Sequence, residues 1–489
     1  VHRVNARQST PEPPAAKPAG VRAGVEPAQH RVSRYTHVVP MGKGRGALYN
    51  TRTGAILVLS GDVYENVRRQ FSSRCAGRER RIYVDRDDLT PHLRLGGFIV
   101  EAGEDELAGL REQYELARSS SQFLLTIIPT FACNLACDYC FVASKRGTMS
   151  VQVQDAVIDF VRRRLQSRTY PSLSVDWFGG EPTLALSVIE RLSRAFTQMC
   201  EDRNVRYAAQ VITNGTRLSG SAVEILERSR VTRLQITLDG AAAVHDRRRP
   251  HRSGGESSYR QIMEGLERVV GRFLVRLRIN VDQSNANGVW MLLDDFERRG
   301  WLSQGCRFYP YLARLSPLTD ACASVSQQAC SLAEYQTLSA RWMRRLARLA
   351  PDVIYQPLYQ FPEPKLYNCG AVGANGFVFT PSGDIHKCGL MIDEPREAVG
   401  RVDQQLDEDS AAAQKWKNWN PFDLPECREC SFLPSCLGGC PRNRLLGRKV
   451  ELRENCRFFK EHERRLLRLH VNLAARALKP ARRTEAPQP

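Results

Sequence analysis

Cys133-Asn134-Leu135-Ala136-Cys137-Asp138-Tyr139-Cys140 places three cysteines within eight residues, spaced Cys-x3-Cys-x2-Cys. Just before it runs Phe123-Leu124-Leu125-Thr126-Ile127-Ile128, apolar and rich in strand formers. Such a run reads as a buried strand, so the cysteines lie in the loop leaving it, a good place to clamp a cofactor. Three thiolates are one too few for a closed zinc or iron–sulfur site. On a cubane cluster they leave one iron open, and an open iron binds a small molecule. The plainer alternatives are a partial zinc site, which lacks a nearby fourth ligand, or three buried thiols.

Residues 120–315 alternate strand and helix, with strand candidates at 123–130, 173–178, 207–213, 233–239, 274–282 and 307–312. This alternation predicts a parallel sheet with right-handed crossovers. In one helix Leu184, Val188, Leu192, Phe196 and Met199 share a face, and Cys200 extends the stripe as a packed thiol. The second strand closes on Asp176-Trp177-Phe178-Gly179-Gly180-Glu181-Pro182. Two glycines let a backbone approach a ligand closely, and the carboxylate can accept from an ammonium. Later strand ends carry Thr213-Asn214-Gly215, Thr237-Leu238-Asp239-Gly240 followed by His245-Asp246, and Asn280-Val281-Asp282. Each puts a hydroxyl, amide or carboxylate at one rim. Taken singly, Gly-Gly is an ordinary turn, Asn214 a turn residue and Tyr139 a core aromatic.

Taken together, the cysteine spacing and the Gly-Gly-Glu-Pro stretch resemble the radical S-adenosylmethionine (SAM) enzymes. The resemblance implies a partial (β/α)6 barrel in which Cys133, Cys137 and Cys140 hold a [4Fe–4S] cluster whose open iron chelates SAM. Gly179, Gly180, Glu181 and Pro182 would hold the methionine amino group. Thr213, Asn214, Thr237, Asp239 and Asn280 resemble the family's contacts to the carboxylate and ribose, and Tyr139 matches the aromatic that packs near adenine. Thr237 stands where many relatives have Ser.

A second cysteine set follows: Cys369, Cys388, Cys427-x2-Cys430-x5-Cys436-x3-Cys440 and Cys456. These seven resemble the SPASM extension of radical SAM peptide modifiers, which implies two auxiliary [4Fe–4S] clusters and three in all. By the same resemblance Cys369, Cys388 and Cys440 hold the inner one, and Cys427, Cys430, Cys436 and Cys456 the outer. The inner cluster is then a ligand short, because residues 362–368 offer no further cysteine. Its fourth iron is open to substrate, or a distant thiol such as Cys322 or Cys330 reaches it. Those two, like Cys75 and Cys306, otherwise read as inert thiols. Cys427-x2-Cys430 is also a zinc half-site, so a zinc ribbon is the alternative. Sulfatase-maturing members carry an Asp directly after the second SPASM cysteine as catalytic base. Here Gly389 follows Cys388, and Asp393 is the nearest acid and the candidate base.

The chain has 489 residues and a formal charge of +18. The excess is spread out, with short runs such as Arg247-Arg248-Arg249 that read as solvated faces. No zinc-finger helix or RNA-binding signature points to nucleic acid. No run of 18 apolar residues points to a membrane, and ten of fifteen cysteines fall in metal-ligand spacings, so a reducing, cytoplasmic setting is expected. Residues 1–30 read as a disordered arm. Residues 31–118 read as a small winged-helix-like domain of the leader-recognition type, with a hairpin turning at Thr51-Arg52-Thr53-Gly54; a plain cap on the barrel is the alternative. Residues 316–365 form a helical linker, 366–460 the SPASM domain and 461–489 a last helix and tail.

The expected function is a radical SAM peptide maturase. The SAM-derived 5′-deoxyadenosyl radical would take a hydrogen from a ribosomal precursor peptide bound through its leader. A carbon–carbon, thioether or ether crosslink follows, and an auxiliary cluster accepts the remaining electron. An electron donor such as flavodoxin or ferredoxin is implied. The rivals are a sulfatase-type formylglycine maturase and, more remotely, a zinc-containing nucleic-acid regulator.

Overall fold

The computed structural model describes residues 30–71, 89–119, 122–142, 146–303, 307–317, 319–350, 363–404, 406–448, 456, 460, 465 and 467–472. The expected N-terminal arm, Cys75, Cys306 and most of the last helix and tail lie outside them. The chain divides into two compact units. One takes Val1–Leu116, Tyr355–Asn368 and Asn420–Pro489; the other takes Ala117–Ile354 and Cys369–Trp419. The cysteine-dense region is thereby shared, with Cys369 and Cys388 in the second unit and Cys427 to Cys456 in the first.

In the first unit β1 (His30–Val32), β2 (Thr36–Gly42), β3 (Arg45–Asn50) and β4 (Ile56–Ser60) lead into α1 (Gly61–Phe71). Then come α2 (Thr90–Leu95), β5 (Ile99–Glu101) and α3 (Glu106–Ser119). β2, β3 and β4 form an antiparallel meander, and β1 pairs with β5. The expected hairpin forms because Asn50 Oδ1 accepts from the Arg52 and Thr53 N–H groups at 2.8 and 3.1 Å, and Gly54 supplies φ +70°. Alternate residues of β3 face opposite ways. Leu48 packs with Tyr64, Val67, Leu93 and Phe98, while Ala47 and Tyr49 pack with Phe432, Leu467 and Val471.

The second unit is built on one nine-stranded sheet. β6 (Phe123–Ile127), β7 (Ser172–Trp177), β8 (Arg206–Thr213), β9 (Val231–Leu238), β10 (Leu274–Val281) and β11 (Phe308–Arg314) lie side by side in chain order, all parallel. These are the six expected strands. Between them run α4 (Val151–Ser167), α5 (Leu186–Glu201), α6 (Gly220–Arg228), α7 (Ala242–Arg248), α8 (Ser258–Val269) and α9 (Val289–Arg298); α10 (Leu332–Leu349) follows β11. Ser150, Ser219, Ser257 and Ser331 cap α4, α6, α8 and α10, each accepting an N–H of the first turn. The expected apolar stripe on α5 is present from Val188 to Cys200. Leu184 is not part of it: Pro182–Ala185 forms a 3-10 turn before the helix, and Leu184 is 39% exposed.

Three strands extend the sheet beyond the six. β12 (Gly376–Phe379) adds parallel to β6, and β13 (Asp384–His386) and β14 (Ala398–Arg401) follow antiparallel. Cys369 and Cys388 therefore flank a hairpin of the barrel sheet itself. On the helix side the sheet is dry, with Leu173, Val175, Trp177, Val211, Leu234, Ile236, Leu277 and Ile279 all 0% exposed. That layer holds the strand ends in register.

The glycine pair has a role different from ligand approach alone. A Cβ on Gly180 would stand 2.3 Å from the Ala132 carbonyl oxygen, and one on Gly179 2.6 Å from that of Thr130. The turn after β7 is thus pressed on the backbone that enters the cysteine loop, with Gly180 N–H donating to Thr130 O and Glu181 N–H to Ala132 O. Gly180→Ala is expected to destabilise the chain by about 1–3 kcal/mol, the usual cost of overpacking. Gly220→Ala, where nothing lies within 4 Å, serves as control and stays within about 1 kcal/mol of wild type. Denaturant unfolding of both variants measures the difference.

Candidate active site

The three cysteines of the loop after β6 are half-buried and free. Each sulfur has a donor aimed at it. Leu135 N–H and Asn214 Nδ2 lie 3.4 and 3.8 Å from Cys133 Sγ, a Val142 N–H serves Cys140, and the Arg249 guanidinium serves Cys137. Burial pushes the Cys133 thiol up to about 11, against the Leu135 N–H, with Glu181, Cys137 and Cys140 adding to the rise. Cys140 is raised as well, first by burial, and Cys322 stands near enough to contribute. Cys322 thus bears on this loop. Donors set on sulfur favour the thiolate and are the means by which a protein tunes a bound iron–sulfur cluster. Among the described residues no three His, Cys, Asp or Glu converge on a single ion. Thiolates bound to different corners of a cubane have no need to converge on one point.

Glu181 is the frame of the rim. It is 0% exposed and accepts four bonds. Thr183 N, Thr183 Oγ1 and Thr213 Oγ1 reach Oε1 at 3.0, 2.6 and 2.7 Å, and Asn214 N reaches Oε2 at 2.6 Å. The ends of β7 and β8 are tied by this one carboxylate. It is stabilised by hydrogen bonds, with no ion pair among the described residues. All four of these bonds come from main-chain and hydroxyl donors of the chain itself. The groups left half-exposed at the turn are Gly179 and Gly180, whose carbonyls take no hydrogen bond among the described residues.

The remaining rim residues form a second network. Tyr139 Oη donates to Asp239 Oδ2 at 2.6 Å, and Asn280 Nδ2 donates to Asp239 Oδ1 at 3.1 Å. Asp239 N–H donates to His245 Nδ1 at 3.1 Å. Burial, then Arg249 and Arg248, drive His245 down to about 2, so its ring stays neutral and remains an acceptor. The rim residues singled out from sequence, Tyr139, Thr213, Asn214, Thr237, Asp239 and Asn280, thus all lie at one end of the parallel sheet. Asp393 is exposed, just past the buried Met391 and Ile392, and Ile392 packs in the apolar group beside Cys140.

Two residues packed against the cysteine loop go unseen in the sequence. Arg248 and Arg249 are 5% and 4% exposed, where a solvated face is expected. Arg249 donates to the Thr237 carbonyl and to Cys137. Burial opposes its charge, yet Tyr139, Cys137 and Asp239 outweigh burial and hold it above the ordinary arginine range. Arg248 Nη1 pairs with Asp282 at 3.0 Å, and its guanidinium lies 5.5 Å over the Tyr139 ring. The signal was available in the short spacing from His245-Asp246 to the arginines, since α7 ends there and carries them under the cysteine loop.

The second cysteine set is placed unit by unit. In the barrel unit Cys369 receives the Ala371 N–H at 3.5 Å. The half-buried Lys387 lies within electrostatic reach of Cys369 and donates to Gly373 O at 2.8 Å. In the other unit Cys427, Cys430, Cys436 and Cys456 act on one another's charge. Burial raises Cys427 to about 12 and Cys436 to about 11, and Arg444 Nη2 lies 3.9 Å from Cys427 Sγ. Cys440 lies in that same unit.

Comparison with known proteins agrees with this chemistry. Residues 127–280 match the family model described as the radical SAM superfamily. This chain carries a radical SAM domain. A serine-type anaerobic sulfatase-maturating enzyme of Bacteroides thetaiotaomicron is 23% identical over 347 residues, 64% of this chain and 81% of the relative. Mycofactocin maturase MftC of Mycobacterium ulcerans is 28% identical over 352 residues, 68% of this chain and 86% of the relative. Native anSMEcpe, solved with bound AdoMet and Cp18Cys peptide, shares the fold with a TM-score of 0.55 and 18% identity, covering 73% of this chain and all of that one. A [4Fe–4S] cluster and SAM are the cofactors of a radical SAM domain, and the donor set at Cys133, Cys137 and Cys140 fits the cluster. No described helix is long and apolar enough to cross a membrane.

Removing the Glu181 carboxylate leaves four buried donors without an acceptor, at about 1–3 kcal/mol for a group so stranded. Glu181→Ala is therefore expected to lower both the unfolding midpoint and SAM affinity while the iron stays bound. Glu181→Gln, which keeps Oε1, should fall in between. Calorimetric unfolding and SAM titration on the same samples check this, and two unchanged values would remove Glu181 from the frame.

Proposed function

We propose that this chain is a radical SAM enzyme that modifies a ribosomal precursor peptide, closing a carbon–carbon, thioether or ether crosslink. The observation that carries the reading is the rim of three thiols, each met by a donor, inside a domain of this family. The cluster, when bound, supplies the electron that cleaves SAM to methionine and a 5′-deoxyadenosyl radical. The chain's own part is to orient and to exclude water. The dry apolar group of Ile128, Phe131, Val142, Val378 and Ile392 beside Cys140 supports the second task. The SPASM-type cysteines support two auxiliary clusters, with Cys427, Cys430, Cys436 and Cys456 at the outer one and Cys369 and Cys388 at the inner.

Leader binding belongs to the first unit, which we read as winged-helix-like. A cavity of about 400 Å³ there is lined by Ile99, Val100 and Glu101 of β5, with Arg52, Arg94 and Glu104 among its walls. Ser33 N–H donates to Phe98 O, so by alternation Phe98 and Val100 face β1. The N–H groups of Ile99 and Glu101 and the Ile99 C=O then face away, ready for an added strand, while the Glu101 C=O takes the Glu104 N–H at 3.0 Å.

A second reading, a sulfatase-type formylglycine maturase, is favoured by the sulfatase-maturating relative. Against it, Gly389 holds the place after Cys388, and Asp393 is exposed. Incubation with a peptide bearing a sulfatase-type Cys or Ser separates the two, because only a formylglycine maturase gives a hydrazide-reactive aldehyde.

Leader binding has its own test. Glu101→Pro removes one outward N–H, and Glu101→Gln controls for the side chain. With the precursor peptide this enzyme modifies, the proline variant is expected to bind leader at least about tenfold more weakly, at unchanged iron content. Equal leader affinity in both variants would contradict the assignment.

A further inference from the structure

The six parallel strands have two faces of opposite character. The helix side is apolar and dry, as described above. On the other side Thr126, Asp176, Gln210, Arg233, Gln235, Thr237, Arg276, Arg278, Tyr309 and Tyr311 all keep partial access to water. The register sets them in rows: Arg276 lies between Gln235 and Tyr309, and Arg278 between Thr237 and Tyr311. Tyr311 Oη donates to Gln235 Oε1 across two strands at 3.1 Å, so these side chains do share a face. A closed barrel fills this space with branched apolar side chains. Here it is a polar, wet lumen.

Charge in the lumen is unbalanced. Asp176 has Arg233 beside it, and Asp239 is bonded by Tyr139 and Asn280. Arg278 has no ion pair among the described residues. Its Nε donates to Asn280 Oδ1 at 2.8 Å, its one side-chain hydrogen bond among the described residues, and the Tyr335 hydroxyl lies within electrostatic reach. The bond restrains the guanidinium and leaves its two terminal nitrogens, the fork that matches a carboxylate, without a hydrogen bond among the described residues. Through Asn280, Asp239 and Tyr139 the fork is tied to the residue before Cys140.

We infer that Arg278 is a specificity residue that receives a carboxylate of the peptide substrate in the lumen. The inference rests on the peptide-modifying reading and adds the substrate's chemical class. Two sources offer that group: an Asp or Glu side chain, or a free C-terminus. Either would be held bidentate beneath the thiol rim, which places neighbouring carbon–hydrogen bonds at the site of radical formation.

The test uses the full-length, cluster-loaded enzyme with SAM and three synthetic probes. Acetyl-Gly-Glu-Gly-amide carries a side-chain carboxylate, acetyl-Gly-Gly-Gly carries a terminal one, and acetyl-Gly-Gln-Gly-amide carries neither. Calorimetric or NMR titration should show at least one carboxylate probe binding about tenfold more tightly than the Gln probe, the step of one charge-assisted bond. Which probe it is identifies the source. The preference should vanish in Arg278→Gln and survive in part in Arg278→Lys, which keeps charge and loses the fork. Equal binding of all three probes by the wild type overturns the inference and leaves the peptide reading intact. A preference that persists in an iron-replete Arg278→Gln enzyme overturns it too. Failure of the peptide reading looks different: no probe binds the wild type at all.

Discussion

A single buried carboxylate holds the site together. Glu181 takes four hydrogen bonds from the ends of two neighbouring strands and has no access to water. Burying such a charge is costly unless its lone pairs are met, and here they are met by main-chain and hydroxyl donors. The consequence is rigidity. The turn carrying Gly179 and Gly180 cannot swing, so the backbone it presses on, residues 130–132, cannot swing either. That backbone delivers Cys133 to its place. A loop with three thiolates would otherwise be free to scatter them, and a cluster needs them at fixed separations.

Positive charge does the complementary work. Arg249 under Cys137 and Arg248 between Asp282 and Tyr139 bring two guanidiniums beneath a loop that gathers negative charge when its thiolates form. Breaking a buried pair such as Arg248 with Asp282 typically costs about 3–5 kcal/mol, because the partner is left uncompensated. The same pair anchors β10 to the helix that follows β9. Electrostatics and topology are therefore coupled: the charges that suit the cluster also fix the strand ends that would hold SAM.

Much of this was legible in the sequence, for identifiable reasons. The six strands were readable because each is a short segment of continuous or alternating apolar residues bounded by turn residues. The rim residues were readable because each follows such a run. β12 to β14 were not, since Gly376–Phe379 is four residues long and pairs with β6 from far along the chain. The burial of Arg248 and Arg249 was hidden because a run of arginines carries no mark of what it will face. Glu181 stood out in the sequence, but its partners Thr183, Thr213 and the Asn214 N–H are brought to it by the fold. The polar face was invisible for a similar reason: Arg276 and Arg278 read as the polar half of an alternating strand, and only the register of the sheet sets Arg278 between Thr237 and Tyr311.

The account stands or falls on the first three cysteines. The direct measurement is iron content together with 5′-deoxyadenosine formation, made anaerobically on reconstituted wild type and on the variant with Cys133, Cys137 and Cys140 all changed to Ala. The account predicts that the variant loses about four irons, one cluster's worth, and all SAM cleavage while the remaining iron stays bound. A variant that keeps the full iron complement, or still releases 5′-deoxyadenosine, would contradict it.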